Sequence, residues 1–277
     1  MIESSTPEII IEEASAAALV IDNEILDQLS NFFAKYASYM LGSGATCIRI
    51  EKNLRRMANA VGLQVDMIIL SHHVTVICTD NSTGLHCQHI RRIAPVGISF
   101  EINTRLSELS WKVADRKVSM EEAETIFYRI IKHPPMQDSV IMMLVVAANA
   151  SFCHLFGGDL GAMIIVAIAT LLGYALKILL LSRRWDVKLT WLACSFVSAL
   201  TAAGLTYFPL THTPDWAISA SVLYLIPGIP YINSISDGLD GHYLCAVGRL
   251  IHALALTACI ALGLTAGIML ANKALIL

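Results

Sequence analysis

SVLYLIPGIPYINSISDGLDGHYLCAVGRL, residues 221–250, is the stretch that decides how this chain folds. It begins as an apolar run typical of a membrane helix, which Pro227, Gly228 and Pro230 then interrupt. Proline lacks a backbone N–H and clashes with the preceding turn, so carbonyls near residues 223–226 lose their helical partners and need protein, water or ligand instead. The pattern therefore predicts a broken helix facing a polar cavity, as in secondary transporters.

The composition predicts an integral membrane protein. Of 277 residues 56% are hydrophobic and 15% are charged, whereas soluble domains carry about 25% charged residues. The net charge of -3 argues against a nucleic-acid partner, which requires a basic excess. The seven cysteines are scattered without a C-x-x-C pair, and the acidic N-terminus lacks the basic region of a signal peptide.

Charge is concentrated before residue 139, which predicts a cytosolic α+β domain over residues 1–138. Helical spacing of apolar residues, β-branched runs and glycine exits indicate its elements. We expect helices over 23–40, about 46–61, 100–113 and 119–131, and strands over 64–70, 74–79 and 85–93.

A metal site and an active site are both disfavoured within this domain. His72 and His73 would point to opposite faces of a strand, and His86 and His89 would not share a face either. We therefore expect no metal and no cofactor. No compact nucleophile signature occurs, so we expect that the chain is not an enzyme.

The second half, residues 139–277, predicts five transmembrane helices, each near the ~20 residues that cross a hydrocarbon core. Pro134 and Pro135 separate it from the first half. The predicted spans are 139–156, 159–181, 189–207, 216–235 and 243–271. The last is the longest and is expected to tilt or to extend beyond the lipid.

Positive charge in alternate linkers predicts the orientation. Arg183, Arg184 and Lys188 lie between the second and third spans, whereas the stretch 209–215 has no Lys or Arg. The N-terminus is therefore predicted to be cytosolic and the C-terminus to lie outside.

Arg249 is the leading candidate for binding a solute. It lies about two turns into the fifth segment, where a charge is costly unless it is paired or hydrated. One interpretation is an arginine that extends to the cytosolic surface. The other is a guanidinium that offers a bidentate fork to a carboxylate solute. His252, three residues further on the same face, could add a titratable group.

Other polar residues have two interpretations each. Asp237 and Asp240 fall in the predicted inner linker, either as a solvated pair or as part of a re-entrant gate. Asp159 is a candidate for proton coupling or simply the N-cap of the second span. Asn149, on the first span, is a candidate for lining a pathway.

Four segments together resemble the threonine/serine exporter family. They are GAT at 44–46 with RIE at 49–51, RRI at 91–93 with GI at 97–98, LFGGD at 155–159, and PGIPYIN at 227–233 with Asp237, Gly241 and Arg249. The resemblance extends over the chain from about Tyr36. It is greatest to the split (YjjP-like) form, in which a small YjjB-like membrane protein is the partner.

The resemblance implies export of threonine and serine, or of succinate-like dicarboxylates, across the bacterial inner membrane. The leading hypothesis is a subunit of a secondary exporter whose site is completed by a partner or a second copy. Arg249 would hold a carboxylate, Asn233 and the backbone around Pro227, Gly228 and Pro230 would orient it, and Asp237 or His252 would couple protons. The rivals are a non-transporting regulatory scaffold and a membrane-tethered hydrolase.

Overall fold

The computed structural model describes residues 23–70, 72–134 and 136–274 and is mostly helical. In chain order the elements are α1 (Asn23–Gly42), α2 (Cys47–Ala60), β1 (Leu63–Ile69), β2 (His73–Asp80), β3 (His86–Arg92), α3 (Phe100–Ala114), α4 (Met120–Ile131), α5 (Asp138–Leu155), α6 (Leu160–Ser182), α7 (Val187–Leu205), α8 (Pro214–Ala220), a 3-10 turn (Leu223–Leu225), α9 (Gly228–Leu239) and α10 (Tyr243–Ala274).

The elements from α1 to α4 form an α+β unit around one apolar core. Its small antiparallel sheet has the order β1-β2-β3, and alternate residues of β1 and β2 are buried. Phe127 from α4 packs edge-on against Phe32 from α1, and Tyr36 donates to the carbonyl of Leu106 at 2.8 Å. The predicted combination of four helices and three strands is therefore confirmed, whereas the domain boundary at residues 138 and 139 stays a prediction.

The remaining helices include four that are long and apolar enough to cross a membrane, namely α5, α6, α7 and α10. A fifth crossing is possible if α8, the 3-10 turn and α9 count as one span bent by 60°. The predicted interruption is confirmed, and it lies between Leu225 and Gly228. Pro227 is the N-cap of α9 and Pro230 lies in its first turn, where a missing N–H costs nothing.

Side chains of the protein satisfy carbonyls around this break. The indole N–H of Trp191 donates to the carbonyl of Leu225 at 2.8 Å, and the amide of Asn149 donates to the carbonyl of Ala220 at 3.1 Å. Asn149 was predicted to line a pathway, and here it is buried between helices. The sequence left protein, water and ligand open as partners for carbonyls in this region, and for these two carbonyls the partners are protein side chains.

α7 and α10 run parallel in close contact. A Cβ at Gly267 would lie 2.7 Å from the carbonyl oxygen of Phe196, and one at Gly263 would overlap the carbonyl oxygen of Leu192. The two helices therefore approach this closely only because positions 263 and 267 carry no side chain. Because Gly263 of α10 lies beside Leu192 of α7, about the first four turns of α10 extend past the N-terminal end of α7. These turns pair with α9 in a helical hairpin, in which Tyr231 and Thr257 exchange a 2.8 Å hydrogen bond.

We expect Gly263→Ala to lower the free energy of unfolding by about 1–3 kcal/mol, because the added methyl group meets backbone of α7 that cannot rotate away. The matched control is Gly204→Ala, where a Cβ meets nothing within 4 Å and should raise stability by about 0.5–1 kcal/mol. Thermal unfolding of both variants in detergent measures the difference. Equal midpoints would contradict the close α7–α10 contact.

Candidate functional site

Asp237 joins the membrane half of the chain to the α+β unit. It lies in the last turn of α9, which extends to Leu239 beyond the predicted end of the span, and its side chain is fully buried. One carboxylate oxygen accepts the backbone N–H of Cys47 at 2.8 Å. Cys47 is the first residue of α2, whose N-cap Thr46 makes no side-chain capping bond. The Asp237 carboxylate therefore supplies the negative charge that this helix terminus favours.

Arg249, on the facing side of α10, completes the arrangement. One terminal nitrogen lies 3.1 Å from the second carboxylate oxygen of Asp237, and the other donates to the carbonyl of Ala45 at 2.8 Å. Asn233, one turn before Asp237, donates to the carbonyl of Gly44 at 2.8 Å. We call these interactions of Asn233, Asp237 and Arg249 with residues 44–47 the 44–47 contact.

Further groups surround the 44–47 contact. The imidazole of His242 lies 3.5 Å from the Glu51 carboxylate. The Cys47 thiol, the Asp237 carboxylate and the Cys245 thiol lie within 4.8 Å of one another. The hydrogen bond with the Cys245 thiol, together with burial, raises the pKa of the Cys47 thiol well above its usual range. The Cys47 thiol is therefore neutral in this state.

The 44–47 contact is chemically a carboxylate-binding site. It combines one guanidinium nitrogen of Arg249 with the N–H at a helix N-terminus, and both groups favour a carboxylate. Here that carboxylate belongs to Asp237 itself. Any other carboxylate bound by Arg249 in this way would have to take the place of Asp237.

The other predicted site residues lie apart from the 44–47 contact. Pro227 is buried at the start of α9, and Gly228 and Pro230 follow it, about two turns or more before Asp237. Asp240 and His252 are exposed. The structure thus brings together Asn233, Asp237 and Arg249 from the predicted set.

Asp159 takes the capping role that was one of its two interpretations. Its carboxylate accepts from the Thr211 hydroxyl and the backbone N–H groups of Ala162 and His212, each at 2.7 Å. These bonds, with that of Thr211 foremost, hold the pKa of the Asp159 carboxyl well below its usual range. Because it stays ionised at neutral pH, Asp159 serves to fix the loop at 211–213 against the start of α6.

Comparison with known proteins identifies the family. A family model described as "Putative threonine/serine exporter" matches residues 31–271. The chain belongs to the threonine/serine exporter family. Membership of this family, together with the apolar helices, places the chain in a membrane and among transport proteins rather than enzymes.

Two curated relatives of this exporter-family chain carry the same name. The "Probable succinate transporter subunit YjjP" of Klebsiella aerogenes is 24% identical over 231 residues, which cover 82% of this chain and 88% of the relative. The protein of that name from Escherichia coli K12 is 24% identical over 223 residues, 79% of this chain and 85% of the relative. The word subunit implies that these relatives act with a partner. No solved structure matches the chain.

Inspection of the sequence missed the soluble side of this exporter-family site. The sequence predicted a helix from about residue 46, and residues 44–46 and 49–51 entered only through the family resemblance. The family resemblance rests on both segments, 44–51 and 227–249, but local spacing gives no signal that they meet. The left-handed backbone of Gly44, with φ of +86°, lets the chain turn into this contact.

Lys177 is a second residue that the sequence reasoning passed over. It lies on α6 with its ammonium 4.9 Å and 4.8 Å from the ring centres of Tyr174 and Trp191. Among the residues that the structure describes, no acidic side chain lies within salt-bridge distance of it. Trp191 also binds the carbonyl at the break, so an intramembrane cation lies beside the interruption.

We expect Asp237→Ala and Arg249→Ala each to destabilise this chain by about 3–5 kcal/mol, because each leaves a buried charge without its partner. The double variant should lose less than the sum, which gives a favourable coupling energy in a double-mutant cycle. Chemical or thermal unfolding in detergent measures all four corners. Asp240→Ala, at the exposed C-cap of α9, is the matched control and should change little. Additive losses at 237 and 249 would contradict the pair.

Proposed function

We propose that this chain is a subunit of an inner-membrane secondary exporter of small carboxylates, either succinate-like dicarboxylates or threonine and serine. The observation that carries the proposal is the 44–47 contact, a carboxylate-binding set of groups at the inner end of a broken membrane segment. The names of the family and of the relatives support the same class of solute. Both succinate and amino acids present the carboxylate that such a site recognises.

In this proposal Arg249 exchanges one carboxylate for another. When residues 44–47 move away from α9 and α10, the guanidinium loses the Ala45 carbonyl and becomes free to bind a solute carboxylate in place of Asp237. The amide of Asn233, freed from Gly44, then orients the solute. The described conformation is therefore the solute-free state, in which the arginine is neutralised internally.

Asp237 is the proposed coupling group. A proton placed on its carboxylate would remove the charge that holds Arg249, and would therefore favour binding of a solute carboxylate at the guanidinium. His252 is exposed on α10, so it stays the second candidate for coupling. Proton uptake and solute binding would then be linked at one pair of residues.

The proposed orientation follows the distribution of charge. The α+β unit contacts the inner ends of α9 and α10, and Arg183, Arg184 and Lys188 fall in the linker between α6 and α7. Positive linkers face the cytosol. With five crossings, the N-terminal unit is cytosolic and the C-terminus lies outside.

A second small membrane subunit is the proposed partner. The hairpin of α9 and α10 presents large apolar side chains away from the α+β unit, with 84% of Leu239 and 76% of Leu244 exposed. Others in this set are Ile232, Ile235, Val247 and Ile251. A contiguous apolar surface of this kind favours a protein or lipid neighbour, and the partner implied by the relatives' names supports the first.

A regulatory scaffold is the second candidate function. It is favoured by the same 44–47 contact, because an α+β unit held by α9 and α10 could transmit a signal to a pore formed wholly by the partner. On this alternative, substitutions at Arg249 would alter regulation without altering the affinity for solute.

We expect Arg249→Lys to lower the initial rate of transport about tenfold or more, because the compact ammonium of lysine lacks the planar, preorganised pair of donors that a guanidinium offers to a carboxylate. The assay is uptake of labelled succinate, threonine and serine into inverted vesicles under an imposed proton gradient, with and without the small partner. Lys273→Ala, a lost cation at the other end of α10, is the control and should transport normally. Unchanged rate and affinity in Arg249→Ala would overturn the assignment.

We further expect a disulfide between Cys47 and Cys245 to stop transport, because it would hold residues 44–47 against α10. Diamide oxidises the two thiols to one disulfide and is itself reduced by the two electrons and two protons that they release. In a background without the other five cysteines, transport should fall on oxidation and return with dithiothreitol. Cys245→Ser is the control and should be insensitive; a cross-linked chain that still transports would contradict the proposed motion.

A further inference from the structure

A second cluster of chemically distinct side chains lies on the α+β unit, where α1 crosses the edge strand β3. Cys87 and His89 are two residues apart on β3 and therefore share the face that meets α1. Asp27 comes from the second turn of α1. Its Oδ1 atom lies 3.3 Å from the Cys87 sulfur and 3.0 Å from His89 Nε2.

These three groups are donors that zinc prefers, namely a thiolate, an imidazole nitrogen and a carboxylate oxygen. A tetrahedral zinc ion with bonds of about 2.0 Å to nitrogen and oxygen and about 2.3 Å to sulfur holds its ligand atoms about 3.3–3.5 Å apart. The two measured separations fall within 0.3 Å of these values. All three donor atoms lie within 4.8 Å of one another.

We propose that Asp27, Cys87 and His89 bind a zinc ion that joins α1 to β3. The three protein ligands leave a fourth position for water or another small ligand, because the site is accessible: 59% of the Asp27 side chain and 25% of that of His89 are exposed. On binding, the Cys87 thiol and, where charged, the imidazole lose their protons to solvent.

An ion pair between Asp27 and His89 accounts for only part of this geometry. It explains the short distance between those two side chains, and a hydrogen bond donated by the Cys87 thiol brings the sulfur to the same oxygen. Because both contacts converge on one carboxylate oxygen, a single metal ion bound to all three side chains would replace both of them. Arg91, the next residue on this face, is turned aside and donates to Asn31.

The other cluster of this type, Cys47, Asp237 and Cys245, is a poor metal site by comparison. The guanidinium of Arg249 lies 3.1 Å from the Asp237 carboxylate, and a second cation there would be repelled. The sequence did not predict a metal site here, because His86 and His89 lie on opposite faces of the strand. The pattern that indicates the site is Cys87 and His89 at alternate positions of β3. The third proposed ligand, Asp27, lies 60 residues before Cys87.

The test is titration of the purified full-length chain with Co²⁺, whose thiolate charge-transfer and tetrahedral d–d bands report a site of this kind, followed by displacement with Zn²⁺. We expect those bands in the native chain, their loss in Cys87→Ser, and affinity lowered about tenfold or more in His89→Gln and Asp27→Asn. His86→Gln, an exposed neighbour on the opposite face of β3, is the matched control and should bind as the native chain does.

A second measurement does not depend on any variant folding. Zn²⁺ should slow alkylation of Cys87 by N-ethylmaleimide in the native chain, as followed by peptide mass spectrometry, while leaving Cys259 unaffected. Unchanged bands in Cys87→Ser, loss of the bands in Cys47→Ser instead, or equal alkylation of Cys87 with and without zinc would each overturn the proposal.

Discussion

The ion pair between Asp237 and Arg249 is the constraint on which the rest of the structure depends. Two charges removed from water are stable only if each finds further partners, and both do so in the α+β unit: Asp237 at the N–H of Cys47 and Arg249 at the carbonyl of Ala45. The pair thus cannot keep its full set of partners without residues 44–47 in place. It therefore couples the positions of α9 and α10 to that of α2.

The sequence predicted those features that arise from neighbours along the chain. Apolar spacing located α1, α2 and the long apolar helices, and Ser119 located the start of α4, where it forms a capping box with Glu122. Asn233, Asp237 and Arg249 were recognised as candidates because charges and amides are rare in such apolar surroundings. Their partners at 44–47 could not be predicted, since tertiary contacts between distant segments leave no periodic pattern in a single sequence.

The sequence placed the expected solute site at the break around residues 221–227, whereas the polar side chains meet further along, at the 44–47 contact. Proline frees carbonyls, and the sequence indicated that some group must bind them without specifying which. Trp191 and Asn149 donate to the carbonyls of Leu225 and Ala220, so side chains of the membrane helices are the partners of these two carbonyls. The buried polar atoms without a hydrogen bond lie later in the chain. They are the second carboxylate oxygen of Asp237 and the facing nitrogen of Arg249, which form an ionic contact but no hydrogen bond of good geometry.

The same long-range pairing sets an order on biogenesis. The three contacts at residues 44–47 join positions 190, 189 and 204 residues apart, and the N-terminal unit leaves the ribosome long before α9 and α10. Domains fold as they are synthesised, so α2 waits with an uncapped N-terminus while the apolar helices enter the bilayer. Only a chain that has inserted α9 and α10 correctly can supply the missing carboxylate. The complete 44–47 contact therefore forms only after membrane insertion has finished.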